Sequence, residues 1–389
     1  MNICMVSDLF DTPFGGVSRV IKRISEKLIA KGHAITIITS HYKNKTKIER
    51  KDGLAIYRLP SFGIPKSEGE YTLAFPHFKK VYEILRKENI EIVHCHTPSP
   101  LALSCVLAAK KLKIPKIGTH HLLAETFSLN ALLGTKNFEN FFYGIVNFFY
   151  NQLELVIGPS HYAVNVLKEH GLKVKSEVVS NGIDLTSFSP KGGYDDFFRE
   201  FNLDDESWKI LFVGRLMKEK GLDILFKAYK IVGEAMPNTR LILVGKGYLQ
   251  KYLEKLAEEL GINERVLFTG FVSDEMLKQA YLASDIFVLP SRAETQSLVL
   301  LEASAMGLPL IGARVTAIPE LVRDGWNGYT FEPENHEDLA RKIIKILSNE
   351  KLMEKFSKNS LKLAEEHDLN KSVDRLEEIY RSLLQSVNH

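Results

Sequence analysis

Nowhere in the 389 residues does an unbroken apolar run reach the roughly 18 to 20 needed to cross a bilayer, so no membrane-spanning helix is expected. Cysteine is scarce. Cys4, Cys95 and Cys105 are an odd number in apolar surroundings, which argues against a disulfide framework and for a reducing cytoplasm. The opening "MNICMVSDLFDTPFGG" has no basic stretch ahead of its apolar residues and no long apolar core, so it fits a strand rather than a leader. No internal repeat or low-complexity tract is present, which excludes solenoid architectures. Metal-ligand spacing is also missing: Asp195-Asp196 and Asp204-Asp205 do not follow an apolar strand and read as linker.

What is present is an ordinary globular composition, 45% apolar and 25% charged, at a length that predicts two domains. Short β-branched runs alternate with amphipathic stretches twice over, the pattern of parallel sheets covered by helices on both faces. The first set is "NICMVSD", "AITIITS", "LAIYRLP", "IEIVHCHT", "PKIGTHH", "LVIGPS" and "SEVVSNGI"; the second is "KILFVGRL", "RLILVGKG", "RVLFTGFV", "DIFVLPS" and "LPLIGARV". Turn-rich, acidic sequence separates them, placing domains at 1–187 and 188–370. A last helical pattern, 371–389, is expected to pack back on the first domain.

Residues 1–187 carry 24 Lys and Arg against 16 Asp and Glu, while residues 188–389 carry 27 against 32. A basic first half points to an anionic surface as partner, and nothing points to nucleic acid. Phe75, Phe78, Tyr82 and Leu85 fall on one helical face near Lys79, Lys80, Arg86 and Lys87, as in basic helices that lie on membranes, or as in a plain sheet-covering helix. The aromatics of "FENFFYGIVNFFY", 138–150, surround their helix and fit either burial or a lipid-dipping surface.

Ligands of doubly wound sheets sit at the carboxyl ends of strands. There the sequence places Gly15 and Gly16 before a helix, Thr119, His120 and His121, and Arg215 and Lys220 ahead of a glycine. Two fixed cations there can neutralise a diphosphate without a metal. After a further strand comes Glu294, then Ser297, Leu298 and Val299 opening the helix that carries Glu302. A helix start of this kind attracts phosphate. Eight residues of helix separate the two acids by roughly 12 Å. That is too far for paired carboxylates at one glycosidic bond, which lie about 5 to 9.5 Å apart, and suits a clamp on the two ends of an elongated ligand.

Together "GGV" at 15–17, "SNGIDLTSF" at 180–188, "GRLMKEKG" at 214–221, the E-x7-E of Glu294 and Glu302, and "IPELVRDGWNGYTFEP" at 318–333 resemble the retaining glycosyltransferases of family 4. Their fold, GT-B, is α/β, with two Rossmann-like doubly wound domains facing across a cleft. The "MVSDLF…FGGVSRVIKRISEKLIAKGH" segment resembles catalytic subunits that add N-acetylglucosamine to phosphatidylinositol, and "ETQSLVLLEA" resembles diacylglycerol glucosyltransferases. The resemblance implies a nucleotide-sugar donor, UDP- or GDP-linked, with no other cofactor and no metal. It implies a lipid acceptor and peripheral residence at the inner face of the membrane. Glu302 would accept the ribose hydroxyls and Glu294 would hold the donor sugar. Arg215, Lys220 and the helix start at Ser297–Val299 would hold the diphosphate, His121 would contact the sugar near its reacting carbon, and Gly15 and Gly16 would admit phosphates.

Two departures bear on the sugar. The family often has Phe-Gly where this chain has Gln296-Ser297, and Gly-Gly where it has Thr316-Ala317. A transferase using a soluble glycan or small glycoside, a GT-B sugar-nucleotide epimerase, and a noncatalytic donor-binding subunit stay open.

Overall fold

The computed structural model describes residues 1–10, 15–41, 46–63, 72–126 and 136–387, which divide into two compact units. Described residues of the first run from 1 to 124, 136 to 181 and 369 to 387; those of the second are 125–126 and 182–368.

The first unit is built on a sheet of order β3-β4-β2-β1-β6-β7-β8-β9, with β5 paired to β4. Its strands are β1 (Asn2–Val6), β2 (Ala34–His41), β3 (Lys47–Lys51), β4 (Leu54–Gly63), β5 (Thr72–Ala74), β6 (Ile92–Cys95), β7 (Lys116–Thr119), β8 (Leu155–Gly158) and β9 (Lys175–Val178). Pairing is parallel except where β4 meets β3 and β5. Ile3, Cys4, Met5 and Val6 have no exposed surface, because a central parallel strand is covered on both faces. The order of strand addition reverses at β1, which lies parallel between β2 and β6, and the helix Gly16–Ala30 follows it. β3, "KIERK", was not expected: its charges alternate with little apolar content, as suits an edge strand.

The C-terminal helix, Leu369–Val387, belongs to this unit. Leu369, Val373, Leu376, Ile379 and Tyr380 are its buried face. Lys31, just past the helix Gly16–Ala30, pairs with Asp374 at 2.5 Å and Glu377 at 2.9 Å.

The second unit carries an all-parallel sheet of order β12-β11-β10-β13-β14-β15: β10 (Trp208–Val213), β11 (Thr239–Val244), β12 (Val266–Gly270), β13 (Ile286–Leu289), β14 (Leu310–Ala313) and β15 (Gly328–Phe331). β10 and β13 are the central pair, with Ile210, Leu211, Ile286 and Phe287 fully buried. The unit begins at Gly182 rather than at 188, because Ile183 is fully buried, donates its N–H to the His367 carbonyl at 2.9 Å and bridges Asp368. Phe188 and Phe197 join the same core, so the expected linker is part of the second unit and contains a helix, Asp195–Phe201.

Gly221 closes the loop after β10 with φ 61°, and a Cβ there would stand 2.3 Å from the Pro290 carbonyl oxygen at the end of β13. Glycine is the residue that tolerates both constraints. Gly221→Ala is expected to destabilise the second unit by at least about 2 kcal/mol in denaturant unfolding; an unchanged midpoint would show that the loop yields.

Candidate functional site

Loops from neighbouring strands converge at the carboxyl edge of the second sheet. After β10 the chain passes through Gly214 and Arg215 into a short 3-10 turn, Lys218–Lys220. Arg215 donates from Nη2 to Glu219 Oε1 at 3.3 Å, and Glu219 is buried, its Oε2 without a partner among the described residues. Lys220 Nζ donates to Glu294 Oε1 at 2.6 Å, with both side chains largely buried. From sequence, Lys220 is expected to meet a diphosphate and Glu294 a sugar. In the structure the two neutralise each other, because both loops emerge from adjacent strands.

Arg292 holds those loops together and was not foreseen. Its N–H donates to the Glu219 carbonyl and its Nη1 to the Lys218 carbonyl, both at 2.8 Å. Nε reaches Glu334 at 2.6 Å and Nη2 reaches Asp223 at 3.2 Å. Glu334 first, then Asp223, raise the Arg292 pKa above its ordinary value despite burial. A cavity of about 300 Å³ opens beside it at the ends of β13, β14 and β15, lined by Pro290, Ser291, Ala313, Val315 and Phe331 among others.

Glu294 is fixed by its backbone. Its N–H donates to Thr316 Oγ1 at 3.0 Å, and its carbonyl accepts from Ala317 at 3.3 Å. Thr316 has φ 46°, a left-handed conformation that costs a β-branched residue roughly 1 to 2 kcal/mol. Ser297 caps the helix Leu298–Ala305, accepting from the Leu300 N–H at 3.3 Å, with Leu298 and Val299 in its first turn. Glu302 lies inside that helix, fully buried, where the Tyr281 hydroxyl donates to its Oε2 at 3.2 Å. The two acids therefore have different surroundings: one faces an ammonium, the other is sealed against a phenol.

In the first unit, Gly15 precedes the helix Gly16–Ala30 in ordinary extended conformation, and no described side chain caps the helix start. His121 follows β7, and its Nε2 meets His96 Nδ1 at 3.2 Å. His96 stacks on His94, whose Nδ1 and Nε2 meet the Tyr380 and Thr119 hydroxyls, each at 2.7 Å. His120 points to the Tyr150 hydroxyl at 3.4 Å. Burial lowers all four: His94 and His120 to about 3, His121 to about 4, and His96 well below its ordinary value. The pair after β7 was expected at the site and His94 and His96 were not, although "VHCH" closes β6 in the same way.

The helix Phe78–Lys87 buries Val81, Ile84 and Leu85. The expected Phe75-Phe78-Tyr82-Leu85 face is thus corrected: Leu85 belongs to the core, while Phe75 and Phe78 are exposed beside Lys79, Lys80, Arg86 and Lys87. In the helix Lys136–Tyr150 burial and exposure divide the large apolar side chains, with Tyr143, Phe149 and Tyr150 inside and Phe141, Ile145 and Phe148 outside.

Residues 14–187 match the family model described as Glycosyltransferase Family 4, and residues 194–363 match that described as Glycosyl transferases group 1. The chain is 27% identical over 351 residues to alpha-monoglucosyldiacylglycerol synthase of Streptococcus pneumoniae, covering 89% of this chain and 78% of that protein. It is 27% identical over 356 residues to the phosphatidylinositol N-acetylglucosaminyltransferase GPI3 subunit of Saccharomyces cerevisiae, covering 89% and 75% respectively. Sucrose-phosphate synthase of Thermosynechococcus elongatus shares the fold, with a TM-score of 0.81 at 20% identity over 99% of this chain and 100% of that one.

The buried histidines set an acid limit. Their folded pKa values lie below the unfolded value of about 6.5, so stability is complete above that pH and falls as the unfolded chain takes up protons. Each fully buried histidine removes up to about 1.4 kcal/mol per pH unit until its folded pKa is reached. Urea unfolding at pH 7.5, 6.5 and 5.5 should show the first unit weakening steeply below 6.5. A flat midpoint would show these rings to be charged or solvated.

Proposed function

The chain is a glycosyltransferase of GT-B fold, a Glycosyltransferase Family 4 domain followed by a group 1 domain, and from this we propose that it transfers a sugar from a nucleotide-sugar donor to a membrane lipid, with retention at the anomeric carbon. The observation that carries the reading is the set Arg215, Lys220, Glu294 and the Ser297-capped helix start, gathered at one sheet edge.

A diphosphate entering there exchanges with Glu294 for the Lys220 ammonium and meets the Arg215 guanidinium and the amides of the Ser297–Val299 turn. Glu294, released from Lys220, takes the hydroxyls of the donor sugar. Glu302, buried beside Tyr281 in this structure, takes the ribose hydroxyls once its cover opens, as an ionised carboxylate with more than one acceptor position does. His121 contacts the sugar near the reacting carbon. As the glycosidic oxygen leaves, the charge developing on the diphosphate is stabilised by groups already in place. The two cations fill the role of a divalent ion, so none is required.

The acceptor follows from chemistry at the surface of the first unit. Exposed Phe75 and Phe78 lie among Lys79, Lys80, Arg86 and Lys87, a combination suited to anionic lipid headgroups, and two relatives are named for lipid products or substrates. No helix among the described residues is long and apolar enough to cross a membrane. We therefore place the enzyme peripherally, at the inner face.

Glu302→Gln should weaken nucleoside diphosphate binding roughly tenfold to a hundredfold, the loss of about 1.5 to 3 kcal/mol for a hydrogen bond to a charged group. Glu294→Gln should preserve that binding, since Lys220 gains freedom to meet phosphate, while turnover with the full donor falls. Calorimetry beside a transfer assay makes the comparison, and equal loss of diphosphate binding in both folded variants would refute the assignment. Sedimentation with vesicles should show binding to anionic bilayers that declines with salt and with Lys79→Glu/Lys80→Glu. Equal binding to neutral vesicles would count against the surface assigned here.

A further inference from the structure

Away from the loops of the second unit, the densest group of chemistry-bearing side chains is the histidine set at the ends of β6 and β7. His94 is fully engaged, since both its nitrogens meet hydroxyls at 2.7 Å. Hydroxyls donate and accept equally well, so Tyr380 and Thr119 fix the ring without choosing its tautomer. His96 lies flat against His94, ring centroids 4.1 Å apart, and nearly parallel to His121 on another side, at 5.5 Å and 16°. Its Nδ1 is 3.2 Å from His121 Nε2.

Two neutral imidazoles joined by one N···N hydrogen bond share one proton there, so the tautomer of either ring decides that of the other. Burial lowers the pKa of both rings and keeps them neutral near pH 7. If His121 donated through Nε2, His96 would accept at Nδ1 and carry its own proton on Nε2. That atom is buried and has no partner among the described residues, so an N–H would be stranded. If His96 donates through Nδ1, its Nε2 is a bare acceptor instead. A stranded buried N–H is the rarer and costlier of the two.

We infer that His96 donates to His121 and so holds it as the Nδ1–H tautomer, a hydrogen-bond donor on the ring nitrogen turned away from His96. His96 is then a positioning residue. The consequence for the reaction rests on the function proposed above, in which His121 touches the donor sugar. Presenting an N–H, His121 supports a sugar oxygen and does not remove a proton from one. The same geometry explains why two adjacent strands each end in histidine: one ring meets the substrate and the other sets its proton.

The test is two-bond ¹⁵N–¹H correlation spectroscopy of the full chain labelled at histidine, with resonances assigned through His96→Asn and His121→Asn. In the parent protein His121 should carry its proton on Nδ1 from pH 8 to 5.5. His96→Phe keeps a stacking ring but removes the donor, and should move the His121 proton to Nε2. His96→Asn, whose amide can donate, should keep it on Nδ1. Turnover should fall roughly 10- to 100-fold in His96→Phe with donor KM little changed, and recover in His96→Asn. Finding His121 protonated on Nε2 in the parent overturns the inference whatever the activity. A correct tautomer that shifts in His96→Phe while turnover stays at the parent level upholds the inference and removes His121 from the proposed donor site.

Discussion

A strand buried on both faces has almost nowhere to present a polar side chain except at its ends, and nearly everything chemical in this molecule follows from that constraint. Ile3 to Val6 in the first sheet and Ile286 to Leu289 in the second have no exposed surface. Polar groups therefore gather where strands stop: Ser7 and Asp8 after β1, His94 and His96 around the end of β6, Arg215 after β10, Ser291 to Glu294 after β13. Because all strands of the second sheet are parallel, these ends share one edge, and loops distant in sequence become neighbours. Lys220 and Glu294 are 74 residues apart and in contact for this reason.

At that edge the cations are not left bare. Arg215 has Glu219, Lys220 has Glu294, and Arg292 has Glu334 and Asp223. Unscreened like charges in a half-buried loop would repel, and the carboxylates keep the lysine and arginines in place. An incoming anion must compete with Glu294 for Lys220. In the proposed reaction this competition would favour groups that carry more than one negative charge over singly charged ones.

The fold was legible wherever apolar runs were long enough to mark a strand. Every run named in the sequence became one, and the parallel α/β architecture follows from their alternation with helices. β3 escaped because Ile48 is its only apolar residue, β5 because three residues carry no period, and β15 because "GYTF" opens on glycine after the "GWN" turn. In the site, the sequence marks residues that directly follow strands, such as Arg215 and Glu294. It does not mark their partners. Arg292, Tyr281, Thr316 and Tyr380 act across separations that no local pattern reports, and the burial of Glu302 is not marked because helix spacing says nothing about what covers a side chain. The structural break falls at Gly182, just before the expected 187/188, for a similar reason: Ile183 joins the second core through a bridge to Asp368, far along the chain.

The scarcity of cysteine has a further consequence. All three thiols, Cys4, Cys95 and Cys105, lie buried in the first unit, where burial raises their pKa values and suppresses the reactive thiolate. Both tryptophans, Trp208 and Trp326, lie in the second. Alkylation kinetics therefore time the opening of one unit while indole fluorescence follows the other, so the unlabelled, unmutated chain carries a separate clock for each half.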